Sequence, residues 1–98
     1  MISEMLKAGE QNATTSGELC RALNLHPREL TQQVLRERRA GKPICATSTG
    51  KGGYYLAETK EEMQRFCRAL WHRAGEIHKT RRACMKSIDS LPAAQSEA

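Results

Sequence analysis

Few residues in this chain can do chemistry, and one short run concentrates them. Ser48-Thr49-Gly50-Lys51-Gly52-Gly53, just past the middle, combines two hydroxyls, a lysine and three glycines. Such a run can cradle a phosphate with free backbone N–H groups and an ammonium. It can also form the tip of a β-hairpin, because glycine takes the positive φ that tight hairpin turns require. The phosphate-loop pattern G-x-x-x-x-G-K-[ST] lies between a strand and a helix. Here Gly52 follows Lys51, Cys45 stands where the first glycine belongs, and Tyr54 to Ala57 reads as a strand. The hairpin reading is the one retained.

The remaining reactive side chains are scattered. Cys20, Cys45, Cys67 and Cys84 are widely spaced with no C-x-x-C, so the paired ligands of a zinc finger or ribbon are missing and no metal is expected. Three of the four fall at positions expected to be core or near-core, where a thiol acts as a small apolar group. His26 precedes Pro27 as a turn residue, and His72 and His78 are six apart, which gives no close pair on a helix face. There is no Ser/His/Asp arrangement and no pair of convergent carboxylates. The expectation is no enzyme, no cofactor and no small-molecule ligand.

Ninety-eight residues make one small domain with room for an appended element. Hydrophobic content is 39% with one Trp, two Tyr and one Phe, so the core must be small. The chain carries 16 Lys and Arg against 11 Asp and Glu, a net charge of +5. From His26 to Lys51 the basic residues are Arg28, Arg36, Arg38, Arg39, Lys42 and Lys51, opposed only by Glu29 and Glu37. Such a block fits a polyanionic partner, or else a solvated helix face. No apolar run approaches the roughly 20 residues that span a bilayer. With no signal peptide visible, a reducing cytoplasm is the expected compartment.

The elements that must hold these residues follow from caps and periodicity. Ile2, Met5 and Leu6 predict a short opening helix stopped at Gly9, with "EQNATT" as a polar connector. Thr15 or Ser16 caps a second helix, Glu18 completes a capping box with Thr15, and the helix ends near Asn24. Leu19, Cys20 and Leu23 form its apolar face. Pro27 suits the first position of a third helix that runs to about Ala40 and closes at Gly41. Leu30 and Val34 face inward there, while Arg28, Gln32, Arg36 and Arg39 share the opposite face. Ile44 to Thr47 and Tyr54 to Ala57 make two strands of a hairpin. Thr59, with Glu62 three residues on, caps a last helix that continues to about Ile88, and "DSLPAAQSEA", 89–98, reads as a disordered tail.

This order (helix, helix, turn, helix, two-stranded hairpin, helix) resembles a winged helix-turn-helix domain. The run SGELCRALNLHPRELTQQVLRERRAGKPICATSTGKGGYYLA carries the resemblance. It is similar to DNA-binding domains of the biotin-repressor type and to small DNA-binding proteins of phages and prophages. Arg38 to Gly41, Pro43-Ile44 and Gly50 to Leu56 match the R-x-x-G ending of the recognition helix, the following strand and the G-x-G-Y-x-L closure of the wing. The likeness covers about residues 1–70.

The resemblance implies a mostly α fold with a small β-hairpin, in which the third helix enters the major groove of double-stranded DNA. Side-chain chemistry agrees: Gln32 can pair bidentately with adenine and Arg28 with guanine. Arg36 and Arg39 suit phosphates, and Lys51 with Thr49 at the wing tip suits the backbone or the minor groove. Thr15 and Ser16 can donate to a phosphate at a helix start. Tyr54 and Tyr55 alternate faces, one in the core and the other a hairpin shield. The expected function is sequence-specific DNA binding, as a transcriptional regulator or phage-type accessory factor. The alternative is a protein-interaction module that does not use DNA.

Glu37 departs from the family pattern, which has an apolar residue there. It projects inward beside Val34 and is expected either to pair with an Arg or a Tyr hydroxyl, Arg65 or Arg68 being candidates, or to reach solvent at the helix edge. The last helix, 59–88, should close the core over Met63 to Leu70 and then overhang. Met63, Cys67, Leu70, Ala74, Ile77, Arg81, Cys84 and Ile88 follow a 4-3 alternation like a coiled-coil seam. Homodimerisation through Ala74, Ile77, Arg81, Cys84 and Ile88 is the expectation. The alternative is a helix broken at Gly75 and folded back.

Overall fold

Thr15 starts the first α-helix for a local reason. Its Oγ1 accepts the Glu18 N–H at 3.1 Å, which satisfies one of the orphan donors of the opening turn. A computed structural model describes residues 1–94 and gives α1 (Ser16–Leu23), α2 (Pro27–Arg39), β1 (Ile44–Thr47), β2 (Gly53–Leu56) and α3 (Lys60–Lys86). Short 3-10 turns cover Ile2–Met5, Glu10–Asn12 and Ile88–Ser90. The fold is mostly α with one small antiparallel hairpin and a long C-terminal helix.

Asn24 closes α1 in the left-handed conformation, and Pro27 opens α2 three residues later. The start of α2 is held by a reciprocal pair: His26 Nδ1 accepts the Arg28 N–H, and Glu29 accepts the His26 N–H at 2.9 Å. His26 is therefore a helix cap, a role that its place before a proline did not disclose.

The hairpin pairs Ile44 with Leu56 and Cys45 with Tyr55. Because side chains alternate along a strand, the two strands face two different clusters. Ile44 joins Ile2, Leu6, Leu19, Leu30 and Val34, with Tyr54 and Leu56 packed beside them. Cys45 and Tyr55 join Phe66 from the start of α3, with Met63 at the edge. Tyr55 is the core tyrosine and Tyr54 is half-buried. The loop between the strands turns on Gly50 and Gly52, both at positive φ.

The chain start differs from its expected form. Ile2–Met5 is a 3-10 turn, and Leu6 is already extended with φ −90° and ψ 147°. The reason lies in the next residues, which pair with the outer edge of β2. Lys7 and Gly9 exchange backbone hydrogen bonds with Leu56, and Thr14 exchanges two with Tyr54 at 2.8 and 2.9 Å. The expected polar connector thus extends the sheet. Gly53 lets this happen: its φ is 125°, and a Cβ there would collide with the Thr14 carbonyl.

Two compact units divide the chain, residues 1–66 and those from Cys67 onward. Every buried apolar residue among those described belongs to the first. Of the stretch expected to close the core, Met63 and Phe66 do so, whereas Leu70 is exposed. Cys45 is buried and Cys20 half-buried, but Cys67 and Cys84 are exposed, one thiol more than expected outside the core. α3 runs unbroken through Gly75 and ends at Lys86, so Ile88 lies past it in the 3-10 turn. The tail expected over 89–98 begins inside that turn, and 95–98 lie outside the described residues.

Candidate nucleic-acid interface

Helix α2 buries Leu30, Val34 and Glu37 on one side. That leaves Arg28, Gln32, Arg36 and Arg39 exposed on the other. Gln32, Leu35, Arg36 and Arg39 line a single shallow hollow of about 450 Å³. Arg36 and Arg39 sit in the last turn, where the helix dipole favours a cation. Arg28 sits in the first turn, where the dipole opposes one, so local stability gives no reason for it. Arg36 Nη1 also donates to Gln33 Oε1 at 2.9 Å, which fixes its direction.

Lys51 is exposed at the hairpin tip, with Thr49 exposed beside it and its N–H held by Thr47 Oγ1. Thr15 is half-buried, its oxygen engaged in capping α1, and Ser16 is exposed. Arg38, counted in the basic block, turns away from solvent. Its Nε donates to the Ile44 carbonyl at 2.8 Å, and its guanidinium lies 4.7 Å from the Phe66 ring centre and 5.9 Å from that of Tyr54. It works as a strut between α2, the hairpin and the start of α3.

Glu37 is 2% exposed, so its inward course holds, but its partners are neither arginine nor tyrosine. Its carboxylate accepts the Ile2 N–H at 2.8 Å, the Ser3 N–H at 2.9 Å and the Gln33 amide at 2.8 Å. Arg65 lies 3.9 Å from Glu10 instead. Burial by itself would raise the Glu37 carboxyl. The donors from Ser3, Gln33 and Ile2 outweigh it and hold the group below its ordinary value. The carboxylate caps the opening turn of the chain and locks it against α2. Gln33 was missed in the sequence, although a Gln four residues before an inward Glu is a readable helical pair.

In the second unit, Ala74, Ile77, Arg81 and Cys84 lie exposed on α3, and Ile88 is exposed beyond it. Trp71 is 83% exposed and Ile77 63%. No protein-family model matches the chain, and no curated protein or solved structure is similar to it.

Proposed function

We propose that this chain is a winged helix-turn-helix protein that binds duplex DNA sequence-specifically. The observation that carries the reading is the two-sided character of α2. Its buried side is fully engaged, and its free side presents Arg28, Gln32, Arg36 and Arg39 together. The order of elements and the exposed Lys51 on the hairpin tip support it further. Arg28 and Gln32 read base edges in the major groove. Arg36 and Arg39 hold phosphates, as do Thr15 and Ser16 at the start of α1, while Thr49 and Lys51 touch the flanking backbone or minor groove.

Two copies associate through the exposed apolar face of α3, at Ala74, Ile77, Arg81 and Cys84, with Ile88 just beyond. A dimer reads half-sites one helical turn apart or a multiple of it. The role is that of a regulator or a phage-type accessory factor, in the cytoplasm of a bacterium or a phage-infected cell. No helix of the described residues is long and apolar enough to cross a membrane.

The test is fluorescence anisotropy with a random duplex pool at two salt concentrations, beside a variant with Arg28→Ala and Gln32→Ala. Selection of a common motif that the variant loses is the expected result. No duplex binding at low salt by the wild-type protein would overturn the reading in favour of a protein partner.

A further inference from the structure

The net charge of the chain is +5, and all of it can be assigned to one segment. From Cys67 to Lys86 there are six cations, Arg68, Arg73, Lys79, Arg81, Arg82 and Lys86, against the single carboxylate of Glu76. The rest of the chain is balanced, ten against ten. The segment is helical throughout, and none of its residues is buried.

At about 100° per residue, four of the six cations gather on one edge. Arg68, Lys79, Arg82 and Lys86, with His72 between them, form a row whose centre lies about 135° round the helix from that of the apolar stripe. The row is about 27 Å long. No carboxylate interrupts it. Lys79, Arg82 and Lys86 are like-charged neighbours at i, i+3 and i+7, a spacing that strains an isolated helix. Among the described residues, Lys79 is the only one of the four with an ion pair, an exposed one to Glu76 at 3.2 Å. The helix dipole accounts for a cation in the last turn, near Lys86, but not for Arg68 or Lys79.

We propose that this edge of α3 is a second polyanion-binding surface, which grips the sugar–phosphate backbone of duplex nucleic acid independently of base reading by α2. Like-charge strain along the row is relieved when phosphates replace water beside it. Arg81, which lies within the apolar stripe between Ile77 and Cys84, argues for nucleic acid over an anionic membrane. A helix lying in a bilayer surface turns its apolar face toward the acyl chains and its cations to the opposite, polar face, so this stripe would carry the Arg81 charge down with it. The row points away from the stripe, so the apolar face stays free for a second copy while the row meets a phosphate backbone.

The test compares three full-length proteins by duplex anisotropy across a salt series. The first is wild type, the second carries Lys79→Gln and Arg82→Gln, and the third carries Lys7→Gln and Lys60→Gln, the same loss of charge away from the row. Glutamine keeps helix propensity, and circular dichroism with sedimentation confirms fold and association state. The slope of log affinity against log salt should become shallower by about 2 in the row variant and stay unchanged in the control. The row variant should keep whatever motif preference the wild type has. Equal slopes in wild type and row variant would overturn the proposal, and so would an equal drop in both variants, which would indicate net charge alone. Binding to phosphatidylserine vesicles that depends on the row, without duplex binding, would overturn it in favour of a membrane. Failure of the α2 reading alone looks different: duplex binding without any motif, still weakened by the row substitutions.

Discussion

Helix α2 and the distal half of α3 are both basic, and they differ in what stands behind the charge. α2 rests on Leu30, Val34 and Glu37, three residues removed from solvent, and its cations project from a finished scaffold. From Cys67 onward, α3 exposes cations and apolar side chains alike. Trp71, Ile77 and Met85 lie open along it. An isolated helix of some 20 residues is marginal in water, and apolar area left in water forgoes about 25 cal/mol per Å². The first region is complete within one chain, whereas the second leaves its apolar side chains in water and is completed only by the association proposed above.

The sharpest way to break this contrast is to remove the polar anchor of α2. Glu37→Leu leaves the Ile2 and Ser3 N–H groups without their acceptor and should cost about 3 kcal/mol. For a domain of this size that is a fall in Tm of about 10–20 °C, read by circular dichroism. An unchanged Tm would show that the carboxylate merely occupies space.

A smaller effect comes from the same group by titration. Its folded-state carboxyl lies below the ordinary value of 4.5. The stabilisation is therefore fully present above that value and is lost as pH falls through the lower folded-state value. Thermal melts of wild type against Glu37→Gln, whose amide does not titrate, should converge in acid. Parallel curves down to low pH would remove the linkage.

Thr15→Ala deletes the cap of α1 and should cost about 1 kcal/mol in a denaturant titration. Least of all should happen to stability with Ile77→Asp, within about 0.5 kcal/mol for the first unit. Sedimentation should nonetheless show a shift from dimer to monomer. A loss of first-unit stability comparable to that of Glu37→Leu would abolish the distinction between the two regions.

What the sequence disclosed depended on whether side chains or backbone did the work. The caps at Thr15 and Thr59, Pro27 at the head of α2 and Gly41 after it are side-chain signals with local partners, and the helices they bound were readable. The inward faces of Leu30 and Val34 followed from period alone, and the strand period placed one of the two tyrosines in the core without saying that it is Tyr55. The pairing of Lys7, Gly9 and Thr14 with β2 is made by backbone groups that every residue carries, so composition gave no sign of it. For the same reason Glu37 was visible as an inward acid but its two backbone partners, N–H groups more than thirty residues away, were not. Ile2, Met5 and Leu6 have helical spacing, yet strand pairing just downstream wins over propensity, and the helix stops after one turn. Arg38 looked like its basic neighbours, and only the position of the Phe66 ring separates a strut from a contact residue. For the distal half of α3, an apolar period shows that a face exists but not what covers it.

Gly53 sets a limit on how this chain can diverge. Its φ of 125° and the Thr14 backbone directly over its α-carbon exclude every other side chain on two independent grounds. Arg28 and Gln32, by contrast, are anchored to nothing in the fold and are free to vary. On the proposed DNA-binding reading, substitutions on the outer face of α2 change what is recognised without disturbing the fold, while the glycine in the hairpin and the acid beneath the helix are held in place by the fold itself.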